Sequence, residues 1–192
     1  MIKIAVNGAC GRMGARIVAL VCEDPELTLV AALEREGHPS LGKDAGIIAG
    51  FGEIDLKVSA ALHVEADVLI EFSSPESAIG IAEVCAKRGT ALVVGTTGLN
   101  PQQHEKMRGF SRQSPCIVSP NMSVGVNVLF DVVSHMSRML GNDFDIEIVE
   151  THHRFKKDSP SGTALRLAEK ICDATHKKMD KDVIYGRLGL TG

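Results

Sequence analysis

Apolar and polar positions recur with two different periods along the chain, and the switch between them marks out the elements. Ile2 to Val6 is a short β-branched apolar run, followed by Asn7-Gly-Ala-Cys-Gly-Arg-Met-Gly14 and a helical pattern to about Cys22. This order predicts a strand, a tight turn and a helix. Apolar runs at Leu27–Leu33, Val68–Phe72, Ala91–Val94 and Cys116–Val118 predict four more strands, with helices near 76–88 and 101–113 between the later ones. Strands alternating with helices predict an α/β fold, a parallel sheet built of βαβ units. Glu36–Gly52 is rich in Gly, carries Pro39 and predicts a surface loop.

Near Asn121 the alternation changes. An amphipathic helix is predicted from about Val124 to Leu140, then a strand over Asp145–Glu150 and a loop over Thr151–Pro160. Ser161 is placed to cap a helix running to about Thr175, and a weak strand is expected near Val183–Tyr185. The chain therefore divides into a parallel-sheet domain, 1–123, and an α+β domain, 124–192. One convincing strand cannot make an independent sheet, so the expectation is either that another subunit supplies strands or that the chain is a fragment whose second domain is incomplete at its C-terminus.

Composition narrows the class. The 192 residues are 44% hydrophobic and 23% charged with a net charge of -3, which disfavours disorder, a nucleic-acid partner and a membrane surface. Nineteen glycines against one Tyr and no Trp suit a close-packed aliphatic α/β protein. The five cysteines contain no Cys-x-x-Cys pair and read as small reduced core residues. With no signal-peptide pattern and no apolar run of about 20 residues, a cytosolic location is expected.

Gly8, Gly11 and Gly14 lie between the first strand and the first helix, where a pyrophosphate needs a tight turn and an exposed helix N-terminus. Their Gly-x-x-Gly-x-x-Gly spacing departs from the commonest fingerprint, and glycines that merely allow a chain crossing are the alternative. Glu34, at the end of the second strand, is placed to accept the adenine ribose hydroxyls. Arg35 beside it suits a 2′-phosphate, so both NADH and NADPH are expected as cofactors. A surface Glu-Arg pair is the plain reading of the same two residues. Phe72-Ser-Ser-Pro75 suits a structural turn as well as a ligand loop. Gly95-Thr-Thr-Gly98 favours binding, and Ser119-Pro-Asn-Met122 is a candidate nicotinamide neighbour and hinge.

The densest chemistry is Glu150-Thr-His-His-Arg-Phe-Lys-Lys-Asp-Ser-Pro-Ser-Gly-Thr163. A solvated basic face is one reading, and zinc is a weak one, because His152 and His153 lack a third ligand at useful spacing and His135 lies on a separate helix. No metal is expected. The functional reading is an anion site: His153 and Lys156 attract carboxylates, and Ser161, Gly162 and Thr163 offer hydroxyls and helix-end amides. Histidine adds proton transfer near neutrality.

Taken in order, Val6–Gly14, Gly95–Gly98, Ser119–Asn127 and Glu150–Thr163 resemble the 4-hydroxy-tetrahydrodipicolinate reductase family, also called dihydrodipicolinate reductase, of lysine (diaminopimelate) biosynthesis. The resemblance implies that NAD(P)H reduces 4-hydroxy-tetrahydrodipicolinate, a small dicarboxylate, to tetrahydrodipicolinate with loss of water. It implies that His152 is a proton donor or acceptor and Lys156 the proton donor, with His153, Gly162 and Thr163 binding substrate. For the cofactor it implies Gly8, Ala9, Cys10, Gly11, Arg12, Met13, Glu34, Arg35, Gly95, Thr96, Thr97, Ser119, Pro120, Asn121 and Met122. It further implies that 1–123 is a Rossmann-type dinucleotide-binding domain and that 124–192 is a substrate-binding and oligomerisation domain, which forms a homotetramer at full length. Met122 stands where an aromatic is common in the family, and Ser159 where alanine is common. Two rivals are a dinucleotide-sensing module without chemistry and a reductase of another small dicarboxylate.

Overall fold

A computed structural model describes residues 1–154, 156 and 158–190. The chain divides into two compact units, Met1–Ser119 and Pro120–Gly192.

The first unit is organised by β1 (Ile2–Asn7), whose side chains alternate between two apolar clusters. Ile4 and Val6 pack with Val18 and Val21 of α1 (Arg12–Glu23), while Ala5 belongs to the cluster of Ala78, Ala82 and Cys85 of α3 (Pro75–Arg88). A strand buried on both faces needs apolar residues at successive positions, which is why these strands read as continuous runs. The others are β2 (Leu27–Leu33), β3 (Val68–Glu71), β4 (Ala91–Val94) and β5 (Cys116–Val118). The sheet is parallel throughout, in the order β2-β1-β3-β4-β5.

Two connections leave β1's neighbourhood in opposite directions, so β1 and β3 meet where the strand order reverses. Open parallel sheets bind ligands at that point, outside the carboxyl ends of the strands. Beyond β2 a single parallel bridge joins Leu33 to Ser59. Ser59 N–H donates to Ala32 O at 3.0 Å, and Glu34 N–H donates to Ser59 O at 3.0 Å. This one-residue bridge occupies the position of the third strand in the Rossmann order.

The expected loop at 36–52 contains a short helix, α2 (Ala45–Ala49), because Asp44 accepts from Ile47 N–H at 3.0 Å and Gly50 closes the turn with φ +73°. The helix expected at 101–113 is α4 (Pro101–Phe110), where Asn100 and Gln103 form a capping box.

In the second unit α5 (Val124–Leu140) and α6 (Gly162–Thr175) pack together, each started by a serine that accepts from the amide three residues on. These are Ser123 to Val126, 3.4 Å, and Ser161 to Ala164, 3.1 Å. The strand expected at Asp145–Glu150 is not formed: these residues have no ladder partner among the described residues, and Ile146 and Ile148 stay exposed at 42% and 38%. Alternation supplies a face but not a neighbour, and a strand needs both. Nor is there a strand at Val183–Tyr185. The second unit's pairing instead joins β6 (Asp158–Ser159), within the expected loop, to β7 (Gly189–Leu190), antiparallel, after α7 (Met179–Asp182). Of the five cysteines, Cys85 and Cys172 are buried and Cys10, Cys22 and Cys116 are half-buried, all as free thiols.

Two glycines test the packing. A Cβ on Gly14 would lie 2.0 Å from Gly8 O, whereas one on Gly80, inside α3, would meet nothing within 4 Å. Gly14→Ala should therefore destabilise the protein by about 2–4 kcal/mol, through overpacking against backbone. Gly80→Ala should stabilise it by about 0.5–1 kcal/mol, by restricting the unfolded chain. Urea denaturation of both variants reads the two signs.

Candidate functional site

The turn after β1 begins with Gly8, whose φ of +76° and 2.2 Å Cβ approach to Phe72 O exclude any side chain. The amides of Gly8 and Ala9 both donate to Leu33 O at 3.0 Å, so the turn is fastened to the end of β2. Gly11 then serves as the N-cap of α1 and brings no side-chain acceptor. By contrast α3, α4, α5 and α6 each start on a side chain that accepts from their first turn. The first-turn amides and positive end of α1 are thus left for an external anion, beside the exposed Arg12 and Met13.

Glu34 follows β2 directly and reaches back to this turn. Its Oε2 accepts from Cys10 N–H at 3.4 Å and its Oε1 from Arg35 N–H at 3.1 Å, while Arg35 itself is exposed. An acidic side chain at this strand end, next to an uncapped glycine turn, is the arrangement that holds an adenosine ribose beside a pyrophosphate.

The ends of β1, β3 and β4 are joined by a buried carboxylate that sequence reasoning did not single out. Glu71 is fully buried. Its Oε1 accepts from Ser73 N–H at 2.8 Å, from Thr96 Oγ1 at 2.9 Å and from Ser73 Oγ. Its Oε2 accepts from Asn7 Nδ2, which also donates to Ser77 Oγ at 2.9 Å. The signal available was an acidic residue closing the otherwise apolar strand Val68–Glu71. Of the expected Gly95-Thr96-Thr97 group, Thr96 is buried with its hydroxyl turned into this network, where it also accepts from Ser73 N–H at 2.9 Å. Thr97 is exposed, and Gly95 N–H continues the ladder to Glu71 O at 2.9 Å. Ser119 N–H likewise donates to Val94 O at 3.0 Å, at the end of the first unit.

In the second unit Asn121 gathers its neighbours. Its Nδ2 donates to Thr163 Oγ1 at 3.3 Å, its Oδ1 accepts from Ser123 N–H at 2.9 Å, and its carbonyl accepts from Asn127 Nδ2 at 3.1 Å. Pro120 and Met122 beside it are exposed.

The motif from Glu150 to Thr163 is organised by Glu150. Oε2 pairs with His152 Nε2 at 2.7 Å, and Oε1 accepts from Ser161 N–H at 2.8 Å. Burial pushes this carboxyl up, but hydrogen bonds from the Ser161 hydroxyl, His152 and the Ser161 amide outweigh it and hold the group down at about 2. The same carboxylate thus fixes a histidine ring and the first residue of the α6 N-terminus. Gly162 and Thr163 open that helix, where amides lack intrahelical acceptors. Lys156 is half-buried, its amide donating to His153 O at 3.1 Å, and His153 is exposed. Phe155 and Lys157 of the motif lie outside the described residues.

Comparison with known proteins agrees across both units. The family model described as "Dihydrodipicolinate reductase, N-terminus" matches residues 2–122, and the corresponding C-terminus model matches 125–188. The chain belongs to the dihydrodipicolinate reductase family. It is 48% identical to the 4-hydroxy-tetrahydrodipicolinate reductase of Citrifermentans bemidjiense over all of its own length and 73% of that protein's. It is 43% identical to that of Hahella chejuensis, with the same coverage. Among solved structures, the dipicolinate-bound dihydrodipicolinate reductase of Paenisporosarcina sp. TG-14 superposes with a TM-score of 0.70 at 26% identity, over 97% of this chain and 72% of that one. No helix among the described residues is long and apolar enough to cross a membrane.

The low value of Glu150 has a consequence for stability. A carboxyl depressed on folding stabilises the native state above its unfolded value of 4.5, and that contribution is lost as pH falls toward about 2. Glu150→Gln should lower the melting temperature at neutral pH, and the gap between variant and wild type should close over that window. Thermal unfolding followed by circular dichroism at several pH values checks this.

Proposed function

We propose that this protein is an NAD(P)H-dependent reductase that converts 4-hydroxy-tetrahydrodipicolinate to tetrahydrodipicolinate in lysine biosynthesis. Its family membership gives the reaction class, and the observation that carries the site assignment is the double engagement of Glu150. One carboxylate holds both His152 and the helix end at Ser161. A dinucleotide sensor has no use for a proton-handling ring tied to an anion-binding helix end, whereas reduction of a dicarboxylate needs both.

The residues of the first unit fit a dinucleotide. The uncapped start of α1 supports assignment of Gly8, Ala9, Cys10, Gly11, Arg12 and Met13 to the pyrophosphate and its surroundings. Glu34 accepts from the ribose hydroxyls, and exposed Arg35 meets a 2′-phosphate when one is present. Gly95, Thr96, Thr97, Ser119, Pro120, Asn121 and Met122 are assigned to the remaining cofactor contacts, Thr96 through its backbone because its hydroxyl is committed to Glu71. When bound, the reduced nicotinamide supplies hydride.

In the second unit the amides of Gly162 and Thr163, with Lys156 and His153, hold the substrate carboxylates. Lys156 delivers the proton that accompanies reduction, and His152, oriented through Nε2 by a Glu150 carboxylate that is ionised near neutral pH, donates or accepts a proton. Loss of the 4-hydroxyl as water balances the reaction. The stripe Val124, Val128, Val132, Met136 and Met139 on α5, all exposed in the single chain, supports assembly into a homotetramer. The working location is proposed to be the cytosol.

Lys156→Ala should leave the NADH dissociation constant within about twofold of wild type and cut kcat by roughly 10²–10⁴, the contribution of a positioned proton donor. Steady-state kinetics with freshly generated substrate, beside NADH titration by fluorescence, measures both; an unchanged kcat removes Lys156 from the mechanism. Arg35→Ala should weaken NADPH about tenfold more than NADH, the loss of one charge-assisted phosphate contact. Equal losses in the two titrations would show that this side chain meets no phosphate.

A further inference from the structure

Cys10, Glu34 and His38 come from three segments, the glycine turn, the end of β2 and the loop beyond it. One donor atom from each lies within 4.8 Å of the other two, and all three residues are half-buried. Thiolate, carboxylate and imidazole form the mixed sulfur, oxygen and nitrogen set that zinc-class ions prefer. Tetrahedral zinc, with bonds of about 2.0–2.3 Å, needs its ligand atoms roughly 3.3–3.6 Å apart. Side-chain rotations that move the three donors inward by about an ångström satisfy that requirement.

A divalent ion between the Cys10 and Glu34 side chains takes the sulfur as thiolate, the thiol proton passing to solvent, and offsets the negative charge that the pair then carries. His38 Nδ1 accepts from Ser40 N–H at 3.2 Å, and ligation through that nitrogen exchanges this contact for the metal. The cluster therefore suits reversible capture rather than a preassembled structural site.

We propose that Cys10, Glu34 and His38 bind a thiophilic divalent cation of the zinc class, and that this cation and the dinucleotide exclude one another. The exclusion rests on the reading of Glu34 as the ribose acceptor, because a carboxylate engaged on a metal cannot also receive the ribose hydroxyls. Occupation of the site would make the reductase sensitive to free zinc through its cofactor and not through its substrate.

Cobalt(II), a spectroscopic stand-in for zinc, titrated into the metal-free protein should give a thiolate-to-cobalt charge-transfer band. That band should vanish in Cys10→Ser, and cobalt affinity should fall about tenfold or more in His38→Ala, which loses one of three ligands. Glu34→Gln provides a second ligand variant if Cys10→Ser fails to fold. In parallel, added zinc should raise the apparent NADH dissociation constant of the wild type in proportion to its concentration. In His38→Ala, NADH binding without metal should be unchanged and the zinc needed for the same effect about tenfold higher or more. No band, or one that persists in Cys10→Ser and His38→Ala, overturns the metal site and leaves the dinucleotide reading intact. A band with the expected residue dependence but no effect of zinc on NADH overturns the exclusion, and with it the ribose role of Glu34.

Discussion

The Glu71 carboxylate is the interaction on which the ligand-facing edge of the sheet depends. It is fully buried, and its oxygens are satisfied by Asn7, by both the amide and hydroxyl of Ser73, and by Thr96. A carboxyl group removed from water without hydrogen-bond partners costs several kcal/mol, so the buried group and its partners oblige one another. Each donor sits at the carboxyl end of a different strand or in the loop that follows it. Satisfying one buried carboxyl group therefore places the turns after β1, β3 and β4 together, at the reversal of strand order. The network is a positioning device, and its polar groups are spent on the protein rather than on a ligand.

The two ends of the chain's chemistry rest on the same physical device used in opposite ways. In the first unit α1 begins without a side-chain acceptor, which leaves its dipole and amides to an anion from outside. In the second, Ser161 caps α6 internally, and Glu150 then holds the Ser161 amide together with His152. The bound anion of the second helix end is thus partly the protein's own, and its role becomes orientation of the histidine and of the residues that open the helix. Negative charge at a helix start is stabilising in both cases, and what differs is whether the protein supplies it or leaves the place open to a ligand.

Much of the fold was legible because burial on both faces leaves continuous apolar runs. Ile2–Val6, Leu27–Leu33 and Ala91–Val94 each correspond to a strand within a residue, and Ser161 was a visible helix cap. The exceptions share one cause. Asp145–Glu150 alternates as a strand should, yet pairing is decided by a neighbour that periodicity cannot name. The Leu33–Ser59 bridge and the β6–β7 pair are too short to leave any period at all. At the site, the glycine turn, Glu34 and the Glu150–Thr163 motif stood out by residue type and order. Thr96 was expected as a ligand contact, but a threonine hydroxyl looks the same in sequence whether it faces a cofactor or a buried glutamate.

Residue order by itself determined the parallel α/β class and the family, because these follow from local periodicity and from motifs that are contiguous in the chain. Only the tertiary structure decided what distant residues do to one another. Positions 7, 71, 73 and 96 become one hydrogen-bonded network, and positions 10, 34 and 38 become neighbours around a common point. No spacing rule links them, since their separations are set by the lengths of intervening helices and loops. Hydrogen bonds and metal ligation act over a few ångströms, and it is the folding of the sheet that brings those distances into range.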